Sequence, residues 1–248
     1  MLQPIARTDE DREHWSRVAT EWITWARAPR HDAFWAYSTS LTSFIGRGPG
    51  AALDVGCGEG RVSRELLDLG FQVTALDPVD ALMRAAAEAQ SADMYIIGEA
   101  VNLPFAAASF DLILAYNVLM DVADVPASVK EMRRVMRQDG RLVISIVHPF
   151  TDRGRFVDED DPDSNFVLRG TYFGRRRFEG VEKRNGLRMP FAGWSQPLAV
   201  YAQALEAAGL AITSVREPVP ASGERDPRLR NWTRFPAFLW LEAQALGA

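Results

Sequence analysis

From about residue 50 onward, short apolar runs alternate with stretches of helical periodicity, the pattern of parallel strands joined by crossover helices. Strands are expected over 51–55, 72–76, 94–97 and 110–116, with helices over 60–69 and 80–90 between them. The segment "PASVKEMRRVM" (126–136) reads as a further helix with "QDG" as its stop, and "RLVISIV" (141–147) as the next strand. Past His148 the pattern changes to an acidic loop, "DEDDPDSN", and three β-like pieces, "FVLRGTYF", "RRRFEGVE" and "LRMPFAGW". Helix and strand then resume: "PLAVYAQALEAAG" is an amphipathic helix, and "LAITSVRE" and "FPAFLWLEA" are strands with no helix between them. Such a pair is expected to be antiparallel, because parallel strands need a crossover. Ahead of all this, the first 45 residues are helix-like and carry Trp15, Trp22, Trp25 and Trp35, which mainly serve packing.

The composition narrows the class. At 248 residues with 47% apolar and 25% charged positions, the chain is long enough for one large α/β domain with a sizeable core. A net charge of −5 argues against a general nucleic-acid or membrane binder, so small-molecule partners are expected. No stretch approaches the roughly 20 apolar residues of a membrane span. The single cysteine, Cys57, excludes an intrachain disulfide, and the first residues lack the basic start and apolar core of a signal peptide; a reducing cytoplasm fits best. His14, His31 and His148 have no zinc-ligand spacing, so no metal is expected.

The candidate chemistry begins at "LDVGCGEGRV", where Gly56, Gly58 and Gly60 follow a strand and precede a helix. Glycines there let backbone N–H groups approach a ligand, and the helix N-terminus adds partial positive charge. The dinucleotide fingerprint has its third glycine one residue later, where this chain has Arg61, which disfavours a nicotinamide-dependent oxidoreductase. Asp77, at the end of the second strand, stands where a carboxylate accepts both hydroxyls of a ribose. Taken singly, Asp54 also reads as a turn cap, Asp77 as the cap of the helix after Pro78, and Glu99 as a solvated charge. Cys57 reads as a small filler between glycines.

Together, "LDVGCGEG", "ALDPVDAL", "GEAVNLPFAAASFDLILAYNVLMDV" and "EMRRVMRQDGRLVISIVHP" resemble, over roughly residues 50–148, the class I S-adenosylmethionine-dependent methyltransferases, most of all the ubiquinone and menaquinone biosynthesis branch. The resemblance implies a Rossmann-like, doubly wound seven-stranded sheet with its last strand antiparallel, in one domain. Residues 1–45 would be a helical lid, 46–147 and 198–248 the core, and 148–197 an inserted β-rich substrate cap. It implies S-adenosyl-L-methionine as cofactor, with Asp54, Gly56, Cys57, Gly58 and Gly60 around its methionine part and Asp77 on the ribose. Pro78 and Leu82 would flank the adenine, Glu99 and Ala100 would meet its amino edge, and Tyr116 and Asn117 would line the amino acid and methyl. The family more often has Asp at Glu99 and often His at Asp121.

Methyl transfer to oxygen or nitrogen of a small organic molecule is then the expected reaction, and a non-catalytic cofactor-binding protein the alternative outside enzymes. An acceptor that carries a proton needs a base, and His148, just past the fifth strand, is the candidate; it equally reads as an anchor of the turn before Pro149. Tyr172, Phe191 and Trp194 are candidate substrate contacts within an aromatic roof, and the run "GRRRFEG" reads as a solvated charged face.

Overall fold

The computed structural model describes residues 8–159, 161–221 and 227–247; residues 1–7 of the expected lid and residue 160 of the acidic loop lie outside them. Three helices open the chain: α1 (Thr8–Arg17), α2 (Ala19–Arg27) and α3 (Phe34–Ile45). The alternation that follows gives β1 (Ala51–Val55), α4 (Arg61–Asp68), β2 (Gln72–Asp77), α5 (Asp80–Glu88), β3 (Met94–Ile97), β4 (Phe110–Tyr116), α6 (Val125–Val135) and β5 (Met136–Val147). Next come the short strands β6 (Gly154–Phe156) and β7 (Phe166–Leu168), the long strands β8 (Arg176–Arg184) and β9 (Leu187–Ser195), then α7 (Leu198–Ala207), β10 (Leu210–Arg216) and β11 (Phe238–Ala245).

Seven strands form one sheet in the order β10-β11-β5-β4-β1-β2-β3. β1 pairs in parallel with β2 and β4, as β4 does with β5, whereas β11 is antiparallel to both β5 and β10. Period-two burial makes the sheet two-sided. Along β4, Leu112 and Leu114 join Tyr37, Leu41, Val62 and Leu66 on one face, while Ile113 and Ala115 join Val129, Met132 and Leu205 on the other. The strand order reverses between β1 and β4. At such a switch point the two neighbouring loops leave the carboxyl edge in opposite directions, and a crevice opens between them.

Local chemistry sets the element ends. Asp124 caps α6 by accepting from the Ala127 amide at 2.9 Å, and Pro126 fills the first turn, where its missing N–H costs nothing. The "QDG" stop is corrected: α6 ends at Val135, and residues 136–140 already run extended as β5, with Met136 opposite Phe110 and a register shift before Leu112. Met136 is buried in the sheet core, which holds the chain extended there. Of "FVLRGTYF", only Phe166–Leu168 is strand, paired with β6. The other two pieces make the β8–β9 hairpin, closed by Asn185-Gly186 with φ of 48° and 79°, the primed two-residue turn that suits strand twist. β11 begins at Phe238 rather than Phe235, because Phe235 stacks on Phe166 at 3.8 Å in the inserted segment.

Gly60 is where the glycine loop meets α5. Its φ is +87°, and a Cβ there would lie 2.3 Å from Ser91 Oγ, whereas Gly70, at φ +92°, has open space around it. Gly70→Ala should therefore cost only the left-handed strain, roughly 1–2 kcal/mol, and Gly60→Ala should add an overpacking cost of about 1–3 kcal/mol. Urea unfolding of the two variants measures the difference; equal losses would remove the packing role of Gly60.

Candidate active site

A cavity of about 610 Å³ lies at the carboxyl edge of β1, β2 and β4, walled by α1, α2 and the β8–β9 hairpin. Asp54, Gly56, Cys57, Gly58, Asp77, Pro78, Leu82, Glu99, Ala100, Tyr116 and Asn117 all line it. Gly60 does not, since it packs on Ser91. The glycine loop also differs from expectation in what it presents. The amides of Gly56 and Cys57 donate to the Leu76 carbonyl, that of Gly58 to Asp77, and that of Gly60 to the Cys57 carbonyl. With these four N–H groups engaged inside the fold, the loop offers an anion fewer donors than its glycine pattern implies. Gly58 lies so close under Trp22 that a Cβ would come within 3.1 Å of the indole Nε1.

The carboxylates are held differently from one another. Asp77 accepts from the Gly58 and Val79 amides, one on each oxygen and both at 2.9 Å; burial nevertheless pushes its pKa up to about 6. It is thus a cap and a cavity wall at once. Asp54 accepts from Ser63 Oγ at 2.6 Å and is pushed up to about 7, by burial first and by the neighbouring Asp77 charge in addition. Glu99 receives Arg12 from α1 at 3.2 Å. Burial raises the Cys57 thiol well above its usual range, and its sulfur rests against Met83 Sδ at 3.5 Å, as a filler would. Asn117, at φ 53°, is pinned by Ser145: its amide donates to the Ser145 carbonyl and its Oδ1 accepts from Ser145 Oγ, both at 2.8 Å.

The opening helices close the cavity through contacts that no pattern in the sequence announces. Trp15 and Trp22 pack on Val79 and Leu82 on one side, and with Trp25 on Met189 and Phe191 of β9 on the other. Arg61 pairs with Asp32 at 2.6 Å and sits over the rings of Phe34 and Trp22. Glu59, 1% exposed, is neutralised by Arg27 and Arg64, each at 2.9 Å. Arg61 stood out in the sequence only as the residue that breaks the dinucleotide spacing; Asp32 and Glu59 carry no local signal, because their partners lie 29 and up to 32 residues away.

The acceptor side departs furthest from expectation. His148 is buried outside the cavity: its Nε2 donates to Glu217 at 3.1 Å and its Nδ1 accepts from the Phe150 amide at 3.2 Å. Both ring nitrogens are engaged in holding the turn after β5, so the turn-anchor reading is the one the geometry takes. Burial lowers the pKa of this histidine, and Glu217 opposes that shift. Tyr172 and Trp194 also lie outside the cavity, the first accepting from the Leu198 amide and the second donating to Asp11. Phe191 does line it, together with Met120, Asp121, Asp152 and Phe178, four residues the sequence reading left without a role. Among the described residues, no group of three or more His, Cys, Asp or Glu is placed to hold a metal ion, and no helix is long and apolar enough to cross a membrane.

Comparison with known proteins locates this arrangement. Residues 53–144 match the family described as "Methyltransferase domain". The chain is 38% identical over 100 residues to a malonyl-[acyl-carrier protein] O-methyltransferase of Erwinia pyrifoliae, a match covering 39% of this chain and 38% of that protein. It spans less than half the length of the curated relatives it matches. Among solved structures, an S-adenosylmethionine-dependent methyltransferase from Mesorhizobium loti superposes with a TM-score of 0.67 at 24% identity, covering 86% of this chain and 97% of the other. The Burkholderia thailandensis 1,6-didemethyltoxoflavin-N1-methyltransferase, solved with 1,6-didemethyltoxoflavin and S-adenosylhomocysteine, superposes at 0.61 with 20% identity, over 100% of this chain and 94% of that one. These two likenesses establish the fold. Residues 53–144 thus match the family described as "Methyltransferase domain", and the seven-stranded sheet that holds them has the fold of these two solved structures.

Proposed function

We propose that the protein transfers a methyl group from S-adenosylmethionine to an oxygen or nitrogen of a small organic molecule, in a cytoplasmic setting. The observation that carries this reading is the single cavity shared by the glycine loop, Asp77 and Glu99 on one side and by the β8–β9 hairpin on the other. A methyltransferase domain across its floor supports methyl transfer over the nicotinamide reading. When bound, the cofactor supplies an electrophilic methyl on a sulfonium; the chain's residues bind, orient and dehydrate.

The residues present fit such a group. Gly56 and Gly58 line the cavity without side chains where the methionine part would lie, and Asp77 keeps a second lone pair on each oxygen for ribose hydroxyls. In this reading Pro78, Val79 and Leu82 form the adenine wall with Trp15 and Trp22 above it. Glu99 retains the oxygen that Arg12 leaves for the adenine amino group. Helices α1 and α2 act as the lid, and the inserted segment from 148 to 197 as the acceptor cap. The rigidity of that cap comes from Arg153, 3% exposed, whose guanidinium donates to the carbonyls of Thr171, Gly174 and Ser195. Exclusion of water and alignment of the acceptor are the main contributions such a cavity makes to an in-line displacement.

Calorimetry should detect S-adenosylhomocysteine binding, and Gly58→Val should abolish it by driving a branched side chain into the space under Trp22. Asp77→Asn should weaken binding by about 1.5–3 kcal/mol, the range for a hydrogen bond to a charged group. The ionised carboxylate is the better acceptor and its pKa is about 6, so wild-type affinity should fall as pH drops through 6, by up to about tenfold per unit, and Asp77→Asn should lack that step. Tight NADH binding with no response to S-adenosylhomocysteine would sink the proposal. A second expectation concerns His148. As a structural residue, its change to Ala should lower the unfolding temperature and leave turnover near wild type; a turnover loss of about 10²–10⁴-fold, the contribution of a general base, would restore it to the chemistry.

A further inference from the structure

On the cofactor side of the cavity each acidic side chain has a hydrogen-bond or ion-pair partner, and on the acceptor side those of Asp121 and Asp152 have none among the described residues. Arg61 pairs with Asp32, Arg12 with Glu99, and Arg27 and Arg64 with Glu59; Asp77 has two amides and Asp54 a hydroxyl. Asp11 accepts from Arg177 and from the Trp194 indole. Asp121 and Asp152 line the same cavity, and neither carboxylate has a hydrogen bond or ion pair among the described residues. The cations whose charge reaches the two are engaged elsewhere: Arg177 with Asp11, Arg153 with three carbonyls of the inserted segment, and Arg176 with the Asp152 backbone carbonyl.

An aromatic ring lies beside one of these carboxylates, that of Asp121. A Cβ on Gly193 would be 2.8 Å from Asp121 Oδ1 and 2.9 Å from Phe178 Cζ, so the carboxylate and the ring edge converge on one point of β9, which only glycine leaves open. The Trp194 amide donates to the Met120 carbonyl at 2.7 Å and locks β9 against the turn that carries Asp121. Phe178 and Phe191 face the cavity from the same hairpin. A half-buried carboxylate without a partner carries a desolvation cost, and a second one nearby adds repulsion. Burial, with Asp11 and Asp152 in addition, raises Asp121 well above the carboxylate range, and burial raises Asp152 to about 7. A cation with an apolar body relieves both at once, because it favours the ionised form of the two acids and leaves its body to the aromatic walls. An anionic acceptor such as the malonyl group named for the relatives would meet like charge instead.

We propose that the acceptor is a small molecule with a protonatable nitrogen, an amine or a basic heterocycle, gripped between Asp121 and Asp152 with its apolar part against Phe178 and Phe191. The term acceptor rests on the methyl-transfer reading above; the cation site itself does not. The test is calorimetric binding of 2-phenylethylamine, 2-phenylethanol and phenylacetate to the full-length protein, with and without saturating S-adenosylhomocysteine. The amine should bind at least about tenfold more tightly than the alcohol or the acid, and Asp121→Asn or Asp152→Asn should each remove about tenfold or more of that affinity while S-adenosylhomocysteine affinity stays unchanged. Both variants should unfold at a higher temperature than wild type when no ligand is present, since each removes an unpaired carboxylate. The absence of an amine preference, its survival in either variant, or a lowered unfolding temperature in both overturns the assignment, and S-adenosylhomocysteine binding would then leave methyl transfer standing. Amine binding with this aspartate dependence in a protein that ignores S-adenosylhomocysteine overturns methyl transfer and keeps the cation site.

Discussion

Two backbone amides, those of Gly58 and Val79, donate to the two oxygens of one buried carboxylate, and through Asp77 the loop after β1 is braced against the turn after β2. The rest of the cavity depends on that bracing. Without it the glycine loop would have no fixed height above the sheet edge, and Trp22, seated directly over Gly58, would have no defined floor. A carboxylate is suited to the task because it accepts on both oxygens with lone pairs to spare, and burial makes each of those bonds count for more. The same burial gives it a raised pKa, so its structural role and its sensitivity to pH have a common cause.

The opening helices are attached both to the core and to the inserted segment. Toward the core, apolar packing of Tyr37 and Leu41 on the sheet and of Trp15 and Trp22 on Val79 and Leu82 is joined by ion pairs of Arg12 with Glu99, Arg27 with Glu59, and Asp32 with Arg61. Toward the hairpin the ties are mostly aromatic and apolar, with Trp22 and Trp25 set edge-on to Phe191 at 6.2 and 6.1 Å and Met189 fully buried among them. A cover built in this way encloses the cavity from two sides with a largely apolar lining, into which several charged side chains are set. Exposed pairs such as Arg12 with Glu99 hold the cover weakly, whereas Glu59, almost wholly removed from water, requires both of its arginines.

Electrostatics divides the cavity into two regions. Where the glycine loop, Asp54 and Asp77 meet, every charge is answered by a neighbour close in the fold, and the surface is shaped before any ligand arrives. Between β4 and the hairpin, Asp121 and Asp152 are left unanswered, and recognition there draws on charge rather than on shape alone. The two regions have different origins in the chain. The first is made of loops that leave adjacent parallel strands, and the second joins a core loop to an insertion farther along the chain.

The order of strands and helices from 51 to 147, the antiparallel pairing near the end and the residues of the glycine loop were all legible in the sequence, because periodicity and the strand–glycine–helix succession are local. The end of α6 was not. Whether "QDG" stops a helix or continues a strand is decided by Phe110 across the sheet, which sequence spacing does not reveal. His148 illustrates the same limit at the site. Its position past β5 was correct, but the direction of its ring was set by Glu217 and by the Phe150 amide, and these turn it away from the cavity. Asp121 stood out in the sequence only as a position where the resembled family often has His, and Asp152 as an unremarkable acidic residue in a loop. A carboxylate acquires chemical meaning from what surrounds it and what fails to pair with it, and both depend on contacts between segments far apart in the chain, which only the tertiary structure brings together.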